Sequence, residues 1–169
     1  HLFMATQQPS TRPIKSFDYT ELIDNCLYLG SSQTSKNLDG LHVLKITHIV
    51  NLAGQCHYPS EFIYGKFHIE DGYSKTKLEK NLPLIYEFID RARKDNRSNR
   101  ILIHCQGGIS RTPFIAIMYL MHAEKMSLLD AFNLVKSRRK QTRINPEHCK
   151  VLLEYDPSNS CSLEYLLAV

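Results

Sequence analysis

Ile101-Leu102-Ile103-His104-Cys105-Gln106-Gly107-Gly108-Ile109-Ser110-Arg111-Thr112 is the stretch that decides the fold. Three large apolar residues in a row read as a buried strand. Apolar residues then recur at helical intervals from about residue 111 to 124, so a helix follows. Between the two lie a cysteine, five residues and an arginine. A loop of that length can wrap its backbone around a phosphate-sized anion, with Cys105 at the floor and the Arg111 guanidinium at the rim. Gly107 and Gly108 have no Cβ, so the chain can turn and approach closely. The cradle is expected to comprise Gln106, Gly107, Gly108, Ile109, Ser110 and Arg111. Inward amides would favour a thiolate first and a bound phosphoryl group afterwards. Arg111 supplies a planar fork matched to two oxygens. Thr112 offers a hydroxyl that could hydrogen-bond a departing thiolate, and Pro113 suits the first helical turn.

The flanking sequence alternates strand and helix patterns. Leu27-Tyr28-Leu29 before Gly30 reads as a short strand, and Leu38, Leu41 and Leu44 are spaced for a helix. Thr47 to Leu52 is β-rich and closed by Gly54, and a loop with Pro59 follows. Phe67-His68-Ile69 is a weaker strand candidate, ending in the turn signal Glu70-Asp71-Gly72. From about Lys80 a helix places Leu82, Ile85, Phe88 and Ile89 on one face, and residues 91–100 finish it and form a surface loop. Further helices are expected at about 127–139, with Ser127 as N-cap and Asp130 at N3, and at 146–155. The expectation is one α/β domain, a central mixed, mostly parallel sheet of about five strands flanked by helices, over residues 14–157. Residues 1–13 and 158–169 are expected as tails, with His1-Leu2-Phe3 ahead of Met4 set aside as an expression scar.

Bulk properties narrow the function classes. A chain of 169 residues makes one domain and buries roughly 70% of its unfolded surface, so it needs no staples. A net charge of +4 is too mild to argue for nucleic acid. Cys26, Cys56, Cys105, Cys149 and Cys161 are odd in number and lack CxxC spacing, which points to neither a zinc site nor a disulfide framework. A reducing compartment, cytoplasm or nucleus, fits them. No apolar run reaches membrane-spanning length and no signal-peptide layout opens the chain, so no membrane partner is expected. The basic runs 91–94 and 138–140 read as solvated faces, the alternative being contact with an acidic partner.

The loop resembles that of the cysteine-based protein phosphatases, His-Cys-x5-Arg-Ser/Thr. It is most similar to dual-specificity phosphatases, including the MAP-kinase phosphatase branch. The resemblance extends over roughly residues 18–155, through Leu27-Tyr28-Leu29-Gly30-Ser31, Ile46 to Leu52, and Ala131-Phe132 to Arg139. Gly107 stands where the branch has alanine, and Ile144 where it has proline. The resemblance implies cofactor-free, metal-independent hydrolysis through a phosphocysteine on Cys105. It implies Asp71 as general acid, with Glu70 next door as the alternative. Asn145 falls where the family braces its loop. His104 either orients the loop and tunes the thiolate or is an ordinary core histidine. Positions 106–110 carry no cation, unlike loops that act on phosphoinositides, so a single phosphate on a protein Ser, Thr or Tyr is expected. MAP kinases are candidate substrates by the same resemblance. An RNA-triphosphate phosphatase and a phosphate-binding module without turnover are the rival readings.

Overall fold

The computed structural model describes residues 17–72 and 75–168. The expected N-terminal tail, 1–13, lies outside them. Five strands form one sheet: β1 (Thr20–Ile23), β2 (Leu27–Gly30), β3 (His48–Asn51), β4 (Ile63–Lys66) and β5 (Ile101–His104). Their spatial order is β1-β2-β5-β3-β4. Only β1 runs antiparallel, pairing with β2 across an irregularity between Glu21 and Ile23. The mixed, mostly parallel sheet expected from the alternating pattern is therefore present, and its last strand in sequence is its centre.

β5 is central because it can be buried on both faces. Every one of its residues is buried, as an apolar run inside a parallel sheet should be. It pairs in parallel with β2 on one side and β3 on the other. Strand alternation then sorts two cores. Leu27, Leu29, Val50, Ile101 and Ile103 face the main core, while Tyr28, Ile49 and Leu102 face a smaller one. The smaller face is covered by α2 (Leu38–Val43), which follows the short α1 (Ser32–Lys36) and contributes Leu41. The main face is covered by α3 (Lys75–Asp95), α4 (Arg111–Ala123), α5 (Leu128–Arg138), α6 (Pro146–Glu154) and α7 (Leu163–Leu167). From Thr112 to Leu120 all residues of α4 are buried, the mark of a helix enclosed by others.

The structure departs from the expected elements in places. The strand near residue 67 is instead β4, three to four residues earlier. β4 is an edge strand with Ile63 exposed, so it lacks the hydrophobic alternation that would announce it. Phe67 and Ile69 still donate backbone bonds to the Asn51 and Leu52 carbonyls, but their partner chain leaves the sheet there. α3 begins at Lys75 rather than Lys80. α1 is wholly polar and rests on a Ser31/Thr34 capping box rather than on an apolar stripe. Residues 158–169, expected as a tail, contain α7, whose Leu166 is buried in the main core against α6.

Leu166→Ala should therefore lower stability by about 2–5 kcal/mol, the range for emptying a buried leucine site. Urea unfolding measures it, and an unchanged midpoint would mean that α7 is not docked.

Candidate active site

The registers bring Gly30, Asn51 and His104 to one level at the carboxyl edge of β2, β3 and β5. Cys105 is the next residue, at the edge where parallel sheets place ligands. Its side chain is almost fully enclosed, at 2% exposure. The Gly108 amide donates to its Sγ at 3.2 Å.

The loop carbonyls are held outward. Gln106 O accepts from Ser32 N at 2.9 Å, and Ile109 O accepts from Arg143 N at 2.9 Å. Gly108 O accepts from Arg139 Nε at 2.6 Å. In a trans peptide the N–H points opposite to the C=O. The amides of Gly107, Ile109 and Ser110 therefore face away from those partners, which is the sense that an anion nest requires. Gly108 makes the turn possible with φ +67°, a region that side chains rarely adopt.

Arg111 opens α4 and is 12% exposed. Its Nη1 donates to the Ile69 carbonyl at 3.1 Å, and its Nε lies 3.2 Å from Asp71 Oδ1. Of the two acids, it is thus Asp71 that the fold brings to the arginine. Glu70 turns to Lys77 at 2.8 Å, and that hydrogen bond is the main cause holding its carboxyl below its ordinary value. Asn145 caps α6 and joins both sides of the site. Its Nδ2 donates to the Asp71 carbonyl at 2.7 Å, and its backbone N–H donates to Ser110 Oγ at 2.9 Å.

Two expected roles look different in three dimensions. Thr112 gives its one hydroxyl hydrogen to the Gly30 carbonyl at 3.2 Å, so in this arrangement it ties the helix start to β2 instead of serving sulfur. His104 is buried and points Nδ1 at the Cys105 carbonyl, 3.3 Å away, which requires that nitrogen to carry the proton. Its Nε2 has no partner. Burial above all pushes its pKa down to about 4, against a smaller opposing effect of the Cys105 carbonyl, so the ring is neutral. Beside it opens a recess of about 190 Å³ lined by Ser32, Lys36, Gln55, His57 and Gln106.

The residue that the sequence reading missed is Arg139. Expected on a solvated face, it is completely buried. Besides Gly108 O, it holds both carboxylate oxygens of Asp18, at 3.0 and 2.7 Å, and the Thr20 hydroxyl at 3.1 Å. Its neighbour Arg138 is exposed, as expected of the whole run. In the other basic run Arg93 pairs with Glu124 at 2.9 Å. All five cysteines are free, and burial pushes the Cys149 thiol up to about 11 and those of Cys26 and Cys161 in the same direction. Among the described residues, no group of three or more His, Cys, Asp or Glu could hold a metal ion, and no helix is long and apolar enough to cross a membrane.

The sequence model of the dual specificity phosphatase catalytic domain matches residues 27–158. The chain belongs to the dual specificity phosphatase family. A probable rhodanese domain-containing dual specificity protein phosphatase of Dictyostelium discoideum is 34% identical over 138 residues, covering 80% of this chain and 28% of that protein. Dual specificity protein phosphatase 1 of Homo sapiens is 33% identical over 132 residues, covering 77% of this chain and 35% of its own length. The chain thus spans about a third of these dual specificity phosphatases. Among solved structures, DUSP15 superposes with a TM-score of 0.75 at 26% identity, covering 86% of this chain and 91% of that one.

Two outcomes follow for the phosphatase domain. Arg139→Ala strands the Asp18 carboxylate and the Gly108 carbonyl and should cost about 3 kcal/mol in urea unfolding. Asp18→Asn should cost less, because Gly108 and Thr20 still accept from the guanidinium. The second concerns pH. The unfolded chain protonates His104 near 6.5 and the folded one only near 4, so the unfolded state binds more protons in between. Stability should therefore fall as pH drops, by about 2 kcal/mol between pH 7 and 5 from this ring. His48 and His148, also lowered by burial, act in the same direction. Unfolding curves at both pH values check this, and His104→Asn should flatten the dependence.

Proposed function

We propose that this domain hydrolyses phosphotyrosine and phosphoserine or phosphothreonine on proteins through a phosphocysteine intermediate. The observation that carries the reading is the convergence on one loop of an enclosed cysteine sulfur, an amide aimed at it, and an arginine bonded to a carboxylate. In the first step the Cys105 sulfur attacks phosphorus in line. An S–P bond forms, the bond from phosphorus to the leaving oxygen breaks, and the Asp71 carboxyl gives that oxygen its proton. Arg111 and the loop amides hold the three remaining oxygens, where charge is concentrated in the transition state. In the second step water attacks phosphorus and gives a proton back to Asp71. The S–P bond breaks, and phosphate and the thiolate are released. No step calls for a metal or cofactor.

The charges around the loop support a singly phosphorylated side chain. Positions 106–110 carry no cation, and the buried Arg139 beneath the loop is already paired with Asp18. The likeness of the loop to the MAP-kinase phosphatase branch makes MAP kinases candidate substrates. Five free thiols suit the cytoplasm or nucleus as the working compartment.

Turnover of an activated aryl phosphate should vanish in Cys105→Ser. Asp71→Asn should lose about 10²–10⁴-fold on a phosphothreonine peptide and far less on the aryl phosphate, whose leaving group needs little help. A wild-type rate no greater than that of Cys105→Ser would favour a phosphate-binding module. Capture of phosphoproteins by Cys105→Ser or Asp71→Ala identifies the substrates.

A further inference from the structure

His148 is a buried imidazole that the mechanism leaves unused. It sits in the first turn of α6, three residues after Asn145, so the two side chains share one face of the helix. Asn145 holds the Asp71 carbonyl. His148 lines, with Ile69, Glu70 and Gly72, a small recess beside the same segment. Its ring lies flat on Phe114, with centroids 4.4 Å apart and planes within 9°. Phe114 is three residues after Arg111 on α4 and is fully buried. One stacked pair therefore docks the helix that grips Asp71 on the helix that carries Arg111. The residue is 2% exposed and its Nδ1 has no partner, while the stack on Phe114 holds the ring beside the recess that the acid segment also lines.

We propose that His148 is a positioning residue for the general acid: its buried ring, stacked on Phe114, walls the recess beside residues 69–72 and so sets where that segment holds Asp71. The proposal rests on the phosphatase reading and on Asp71 as its acid. The proton travels from the Asp71 carboxyl to the leaving oxygen, and His148 exchanges none. The charges that face the ring are Asp71 and Glu70 from the acid segment, the latter tied to Lys77 of α3, with Arg111 from α4 and Glu147 from its own helix. His68 lines the recess as well. Burial, with Arg111 adding to it, keeps the ring uncharged against the pull of the two carboxylates Asp71 and Glu147. A cation at the amino end of α6 would also oppose the helix dipole.

Substrates with different leaving groups test this. The wild type, His148→Ala and His148→Phe are compared on an activated aryl phosphate and on a phosphothreonine peptide, with thermal unfolding confirming that each variant is folded. His148→Ala should lose at least about ten times more kcat on the peptide than on the aryl phosphate, the signature of a misplaced acid. His148→Phe keeps a flat ring on Phe114 and should recover most of the peptide rate at pH 7. An equal loss on both substrates, or a folded Phe variant as poor as the Ala one, overturns the proposal. A wild type that turns over neither substrate overturns the phosphatase reading itself, and this inference with it.

Discussion

The left-handed turn at Gly108 is the constraint that the site is built around. A Cβ there would come within 2.6 Å of both the Gly30 carbonyl oxygen and an Arg139 nitrogen, so only glycine fits. The residue's two backbone groups are spent in opposite directions. Its amide goes inward to the cysteine sulfur and its carbonyl outward to a buried guanidinium. One peptide turn thereby connects the end of β2, Cys105 and the chain that follows α5. A buried guanidinium is costly unless its donors are paired. Here Gly108, Asp18 and Thr20 supply the partners, so the strand β1 and the residues before it are drawn into supporting a loop nearly ninety positions later.

The sheet contributes position more than chemistry. β5 is flanked by two parallel strands that end level with it, and this delivers Cys105 to a rim where backbone N–H groups have no ladder partner. The ends of the two neighbouring strands, at Gly30 and Asn51, bond onward to other parts of the chain. Gly30 O takes the Thr112 hydroxyl, and the Asn51 side chain organises the turn after β3 by accepting from Ala53 N at 2.9 Å. Each strand end is thus used to fix the start of a loop or helix near the site.

How much of this was legible depended on the kind of signal. Elements with strong apolar periodicity, β5, α4, α5 and α6, stand where their pattern placed them, within a residue or two. The strand β4 did not, because an edge strand with an exposed Ile63 writes no alternation. α1 has no apolar stripe at all, only a capping box, and α7 is too short for periodicity to register. Within the site, Cys105, Arg111 and Gly108 were readable because a loop motif is local. Arg139 was not, since nothing in Arg138-Arg139-Lys140 says which cation turns inward. That choice is made by Asp18, some 120 residues earlier, and a contact so distant in sequence leaves no local trace. The direction of the Thr112 hydroxyl is a similar case, decided by a strand end across the fold.

The two arginines of the site show how exposure decides which charge can be lent to a substrate. Arg139 is fully buried and its ion pair is one of several bonds that must all break together, so it is a permanent brace. Arg111 is paired with an Asp71 that is 62% exposed. An ion pair whose carboxylate is so open to water is held weakly compared with one enclosed on both sides. A bidentate, doubly charged phosphate group can therefore displace Asp71 from the guanidinium at little cost. Under the proposed mechanism, the same exchange would free the aspartate when a leaving oxygen arrives. Asn145 keeps the backbone of Asp71 in place while its carboxyl changes partner, because that bond is made to the carbonyl and not to the side chain. In the proposed mechanism, binding the phosphate and presenting the acid would in this way be one event, driven by the competition of two anions for one guanidinium.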